Sequence, residues 1–276
     1  MGRDLILTGL PRSGTTLACR LLGACADTVA LAEPMDVEAI PAAPGQAVEH
    51  VLGWFEQTRR DILATGVAPS KVGPGGLVDN PFSSGDGPRT LLVREGTLSV
   101  HPTLTPDFTL VVKHNAAFTA LLPELARRLE TVAIVRHPLA TLASWASLSL
   151  PVSRGRLPAG EHLDPVLALH LDQEPDLLRR QLRILAWFFE RYQGLPPGNV
   201  VRYEDVMDSA GGILVRAAGL PVPEGGAPLR NRNARPQCAP SLLPRLADAL
   251  AAQPGAWSTW YPGDTLEPVL AAMVAS

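Results

Sequence analysis

The sequence predicts an α/β protein, with a central parallel sheet of about five strands flanked by helices in a single domain. Three observations point that way. Short apolar runs alternate with longer helical patterns, as in strand–helix units around a parallel sheet. The first run passes through a glycine-spaced turn directly into an apolar helix. The length of 276 residues, with 46% hydrophobic and 18% charged, suits one sizeable core.

Strands are expected at Asp4–Gly9, Thr28–Ala32, Phe108–Lys113, Thr131–Arg136 and Asn199–Arg202. Each is rich in Val, Ile, Leu or Thr and too short to be a stable helix. Helical patterns cover Gly14–Ala24, Val48–Leu63, Ala117–Leu129, Leu139–Leu148, Pro175–Tyr192, Val206–Ala218 and Ser241–Ala251. Pro123 fits only a first turn, so the helix in Ala117–Leu129 can begin near Leu122. Two stretches interrupt the alternation. Val67–Pro106 is rich in Gly, Pro, Ser and Asp, with a hairpin expected near Thr90–Val93 and Thr97–Val100. Pro151–Glu174 is loop-like apart from a weakly helical Val166–Leu171. Both are candidates for shaping a substrate pocket at the rim of the sheet, or are plain surface loops.

A net charge of −3 supplies no global basic field, so neither nucleic acid nor anionic membrane is expected as a partner. Any anion site must be local. Cys19, Cys25 and Cys238 share no metal-ligand spacing and cannot all pair, so neither a metal site nor a disulfide framework is expected. No run approaches 18 apolar residues and no basic leader is visible, so the expected compartment is the cytoplasm.

The first strand leads into Gly9-Leu10-Pro11-Arg12-Ser13-Gly14-Thr15-Thr16. Two glycines five apart at a strand-to-helix turn have the spacing of a loop that wraps phosphate in backbone N–H groups. Thr15 stands where nucleotide hydrolases carry lysine, and the cation comes earlier, at Arg12. A structural turn with a helix cap is the plain alternative. The ends of other strands carry Lys113-His114 and Arg136-His137-Pro138, not the Asp that commonly holds magnesium in triphosphate enzymes. Ligands of open α/β sheets bind beyond the carboxyl ends of strands, so Arg12, Lys113 and Arg136 are expected to converge on a polyanion. Ser144, two turns into the helix after Pro138, could share one more phosphate with Arg136.

Together these motifs resemble the sulfotransferase family. Pro11 to Thr16 looks like its 5′-phosphosulfate loop, and Thr131–Trp145 looks like its 3′-phosphate motif, with Arg136 and Ser144 at the binding positions. Arg202-Tyr203-Glu204-Asp205 resembles the strand-end element whose tyrosine approaches adenine. The PRSGTT form of the loop and Glu33-Pro34 look closer to the tyrosylprotein branch and its bacterial relatives than to the cytosolic small-molecule branch. The C-terminal Arg-Lys-Gly and Gly-Asp-Trp elements of that second branch are absent. Arg230, Arg232 and Arg235 lie in about that region and are either a cover for the 3′-phosphate or a solvated basic loop.

The resemblance implies metal-independent transfer of a sulfonate group from 3′-phosphoadenosine 5′-phosphosulfate to a hydroxyl of a small molecule or peptide. It makes Arg12, Ser13, Gly14, Thr15, Thr16, Arg136, Ser144 and Tyr203 the expected donor-binding residues. Arg12 would face the bridging oxygen and Lys113 the sulfonate. The base is Glu33 or His114, each ending a strand that should face the loop. Cations favour the ionised carboxylate, which selects Glu33, provided that a moderate distance from Arg12 and Lys113 preserves its basicity. A phosphate-loop nucleotide kinase and a non-catalytic nucleotide sensor are the alternatives.

Overall fold

The computed structural model describes residues 2–83, 90–100, 103–223, 225–233 and 238–275. Its strands are β1 (Arg3–Gly9), β2 (Thr28–Ala32), β3 (Val67–Val72), β4 (Arg94–Ser99), β5 (Thr109–Lys113), β6 (Glu130–Val135) and β7 (Val200–Arg202). Five of them form one sheet in the order β2-β5-β1-β6-β7, with every adjacent pair parallel. The expected central sheet is therefore present, with each strand within a residue of its predicted bounds.

Helices cover both faces of this sheet. They are α1 (Thr15–Gly23), α2 (Pro44–Thr65), α3 (Ala116–Ala120), α4 (Leu122–Leu125), α5 (Pro138–Ala146) and α6 (Pro158–Leu163), then α7 (Pro165–Gln173), α8 (Leu177–Tyr192), α9 (Tyr203–Asp208), α10 (Gly212–Ala217), α11 (Leu242–Ala252) and α12 (Leu266–Val274). Side chains alternate along each strand, so a buried strand feeds two cores. Ile6, Leu110 and Val112 enter one core with Phe55, Phe118 and Phe188. Leu5, Leu7, Val111, Val132 and Ile134 enter the other, with Cys19 and Leu22 of α1. Cys19 and Cys25 are free and buried; burial pushes the Cys19 thiol up to about 12, as befits a packing residue.

Four elements differ from the sequence reading. Pro151–Glu174, expected to be loop-like apart from Val166–Leu171, instead carries α6 and α7, the second started by Pro165 and capped by the Asp164 carboxylate, which accepts the Val166 and Leu167 N–H groups. The stretch Ala117–Leu129 breaks into α3 and α4, because Pro123 supplies no N–H and sits in the first turn of the second piece. Val206–Ala218 breaks where Ala210 and Gly211 both take left-handed backbone, at φ 50 and 89. The hairpin also pairs otherwise than expected. Arg94–Ser99 runs antiparallel to Val67–Val72, which the sequence hid behind Pro69 and Lys71, while Leu91 makes only a single bridge to Phe82. This two-stranded unit packs against β2 rather than extending the sheet.

Candidate anion-binding site

β1 ends at Gly9, where a Cβ would meet the Ile134 carbonyl at 2.5 Å, so the chain passes closer to β6 than any other residue allows. The loop then turns through Arg12, at φ 71, and Gly14, at φ 89, before α1 begins. Gly14 is required twice over: its backbone is left-handed, and a Cβ would lie 2.8 Å from the Tyr203 ring. Ser13 is turned inward. Its hydroxyl donates to the Ile134 carbonyl at 3.0 Å and its N–H to the Leu10 carbonyl at 3.1 Å. It therefore shapes the loop from behind, with neither donor directed to the cleft as a phosphate ligand would need.

A cleft of about 1500 Å³ opens at the carboxyl ends of β1, β2, β5 and β6. Arg12, Gly14, Thr15, Thr16, Glu33, Lys113, His114, Arg136, Ser144 and Tyr203 all line it, so of the expected site residues only Ser13 lies outside. Arg230 and Arg232 line it too, while Arg235 falls outside the described residues.

Arg136 occupies one end, buried to 9% exposure. Its Nε donates to Asn233 Oδ1 at 2.7 Å, one terminal nitrogen donates to the Arg12 carbonyl at 2.9 Å, and its guanidinium lies 4.9 Å from the Tyr203 ring centre. Asn233 in turn donates to Glu204 at 2.5 Å, and Glu204 also accepts from the Tyr261 hydroxyl at 2.7 Å and the His137 N–H at 3.1 Å. No carboxylate among the described residues forms an ion pair with Arg136 itself. A buried cation held by neutral partners is suited to an anionic ligand.

The other end is built around Glu33. Its backbone is left-handed, at φ 46, and its N–H donates to the Lys113 carbonyl at 2.8 Å, continuing the β2–β5 ladder by one bond. Lys113 Nζ lies 2.5 Å from Glu33 Oε1 and Lys71 Nζ lies 2.7 Å from Oε2. Lys113 foremost, with help from Lys71, holds the Glu33 carboxyl well below the usual carboxylate range against the opposing effect of burial. The moderate distance expected between Glu33 and Lys113 is thus not found; the two are in direct contact. A strand-end lysine one rung away in the sheet reaches its neighbour's carboxylate before any exogenous anion is considered.

His114 has a different task. Its Nε2 accepts the Met35 N–H at 3.1 Å, which fixes a neutral ring with the proton on Nδ1. Burial, the largest influence, pushes its pKa down to about 3 although Glu33 lies near. The ring also sits edge-on to Phe118, 5.2 Å between centres. His114 holds the segment that follows Glu33.

Arg12 projects from the loop toward Asn80 and Phe82, with 3.4 Å to Asn80 Oδ1 and 4.9 Å to the ring centre. Lys71, Asn80 and Asn233 are cleft residues that the strand-end reasoning missed, and Glu204, quoted only as part of the strand-end element, supports Asn233 from behind. Lys71 and Asn80 come from chain that lies outside the main sheet, and Asn233 from a loop, where no periodic pattern marks a position. Among the described residues no cluster of His, Cys, Asp and Glu has the makings of a metal site, and no helix is long and apolar enough to cross a membrane.

Neither a protein-family model nor a curated protein matches the chain. Among solved structures, a sulfotransferase domain from the curacin biosynthetic pathway is similar over 81% of this chain and 75% of that one, at 16% identity and a TM-score of 0.40. Sulfotransferase STF1 from Mycobacterium tuberculosis H37Rv is similar over 100% of this chain and 77% of that one, at 13% identity and a TM-score of 0.36.

Proposed function

We propose that the protein is a sulfotransferase that moves a sulfonate group from 3′-phosphoadenosine 5′-phosphosulfate to a hydroxyl acceptor. The observation that carries this reading is the spacing of charge in one cleft. Buried Arg136 stands at one end with no carboxylate ion-paired to it among the described residues, and a Lys–Glu–Lys cluster stands at the other, with the Arg12 loop between. That arrangement suits a ligand with two separated phosphates whose reactive group meets the Glu33 carboxylate.

In this reading Arg136 and Ser144 hold the 3′-phosphate, and the Tyr203 ring faces the adenosine. The loop from Arg12 to Thr16 takes the 5′-phosphate through its backbone and the Thr15 and Thr16 hydroxyls, while Ser13 supports it from behind. Transfer is an in-line displacement. The acceptor oxygen forms a bond to sulfur as the bond from sulfur to the 5′-phosphate oxygen breaks. The electron pair leaves on that oxygen, where Arg12 stabilises it, while Lys113 faces the transferring sulfonate. The acceptor proton passes to Glu33 and then to solvent. His114 keeps Glu33 and the following turn in place.

The same cleft is lined by Met35, Val37, Leu150, Val152 and Leu157, and by the acidic Asp36 and Glu38. Such a lining favours a small acceptor over an acidic polymer.

Thermal unfolding with added nucleotides tests the reading. Stabilisation is expected to be larger with 3′,5′-diphosphoadenosine than with ATP, and to be independent of magnesium. A larger shift with ATP and magnesium would point to a nucleotide kinase, and nucleotide binding without transfer to any acceptor would point to a sensor.

A further inference from the structure

Lysine is nearly absent from this chain, with 22 arginines against Lys71 and Lys113 alone. Both ammonium groups bond the same carboxylate, one to each oxygen of Glu33. They arrive by different routes. Lys113 ends a central strand and its side chain is 6% exposed, whereas Lys71 comes from the hairpin and is 38% exposed. The hairpin is fixed where it matters. Buried Ser70 accepts the Ala32 N–H at 3.0 Å, so the residue before Lys71 is clamped to the residue before Glu33.

Resting on the sulfotransferase reading, we propose that Lys71 is a positioning residue that keeps Glu33 oriented and sets its base strength while Lys113 serves the transferring group. Lys113 cannot neutralise two anions fully. A phosphosulfate entering the cleft competes with Glu33 for its ammonium, and the carboxylate's hold then falls to Lys71. The residue type fits this division. A lysine is a compact point charge that bonds one carboxylate oxygen, whereas the planar fork of arginine takes both. With Lys71 on Oε2, the oxygen that Lys113 releases, Oε1, is left to receive the acceptor proton. An arginine at position 71 would occupy it. The use of lysine here, in a chain that otherwise carries its cations on arginine, follows from that difference.

The charged and titratable groups around Glu33 are few. Lys113 and neutral His114 face it from the end of β5, Lys71 from β3 with Glu95 opposite it in the hairpin register, the buried and protonated thiol of Cys19 lies near it from α1, and Arg12 lines the same cleft from the loop. Asp36 and Glu38 follow in the same wall. Loss of Lys71 therefore removes one of the two cations that, among the described residues, bond the carboxylate.

The experiment is an NMR titration of the Glu33 side-chain carboxyl carbon, assigned with Glu33→Gln, in the full chain with and without 3′,5′-diphosphoadenosine. In the parent, the nucleotide is expected to raise the Glu33 pKa by drawing on Lys113. Lys71→Met, with Lys71→Gln as a second variant should the first not fold, is expected to raise proton affinity at least tenfold in both states. Nucleotide affinity is expected to stay within about twofold of the parent. Lys71→Arg is expected to keep the low pKa yet lose turnover. An unchanged Glu33 titration in free Lys71→Met overturns the proposal, as does full turnover in Lys71→Arg. A parent that gives no nucleotide-induced shifts at any site instead contradicts the functional reading, and the free-state comparison still decides whether Lys71 governs Glu33.

Discussion

The Trp145 indole N–H donates to the Pro11 carbonyl at 2.8 Å, which ties the helix carrying Ser144 to the loop carrying Arg12. Arg136 makes a second tie, to the Arg12 carbonyl at 2.9 Å. The two regions proposed to hold the phosphates are therefore parts of one hydrogen-bonded unit, and the distance between them is set before any ligand arrives.

Arg136→Ala is expected to remove the preference for a 3′-phosphate. A charge-assisted hydrogen bond to buried phosphate contributes about 1.5–3 kcal/mol, or roughly tenfold to a hundredfold in affinity. Titration with adenosine diphosphates that do or do not carry the 3′-phosphate measures it. Asn233→Ala is expected to act in the same direction and less strongly, since it frees Arg136 Nε without removing the charge. A mutant that discriminates as well as the parent would remove Arg136 from this role.

Arg12→Ala is expected to lower turnover by orders of magnitude while weakening the product nucleotide only modestly. The reason is that negative charge grows on the leaving oxygen during transfer. Comparing the kcat loss with the change in 3′,5′-diphosphoadenosine affinity distinguishes this from a simple clamp, for which both fall equally.

Glu33→Gln keeps the side-chain shape and removes the base, so transfer at saturating donor should vanish with donor binding retained. His114→Ala should cost less, about 10–100-fold, because its Nε2 already accepts the Met35 N–H and acts through position. A dead His114 variant beside an active Glu33 variant would reverse the assignment.

Acid should destabilise the fold before the carboxylates themselves titrate. Burial lowers the pKa of His114 to about 3 and that of His137 to about 4, from 6.5 in both cases. Between those values and 6.5 the unfolded chain takes up protons that the folded chain does not, so stability falls as pH drops. Each imidazole contributes up to about 1.4 kcal/mol per pH unit. Glu33, with its pKa depressed, adds a loss of the same sign below about pH 4.5, its ordinary value. Chemical denaturation from pH 7 to 4 should show this slope, and His114→Gln should reduce it. A slope unchanged by that substitution would mean that His114 is not buried neutral.

The sheet was legible because each strand is a short apolar run ending in a chemically distinctive residue, as Lys113 and Arg136 illustrate. Spacing alone also brought Arg12, Thr15, Thr16 and Ser144 to the cleft. What the sequence concealed was contact between residues far apart in the chain. Lys71 sits among glycines and prolines, and its pairing with Glu33 depends on a hairpin whose first strand contains Pro69. Asn233 lies in an irregular loop, and only tertiary packing shows that its amide links Arg136 to Glu204. Ser13 was misplaced for the converse reason: the motif names the residue type and leaves open which way the hydroxyl turns.

The concentration of the side-chain amines in one cleft also gives the protein a chemical address. Apart from the α-amino group, an amine-directed reagent finds only Lys71 and Lys113, and it meets the more exposed Lys71 first. Reductive methylation with isotope-labelled formaldehyde would therefore add two side-chain signals, both originating beside Glu33. A protein of this size would then report on its cleft through a spectrum with almost no background.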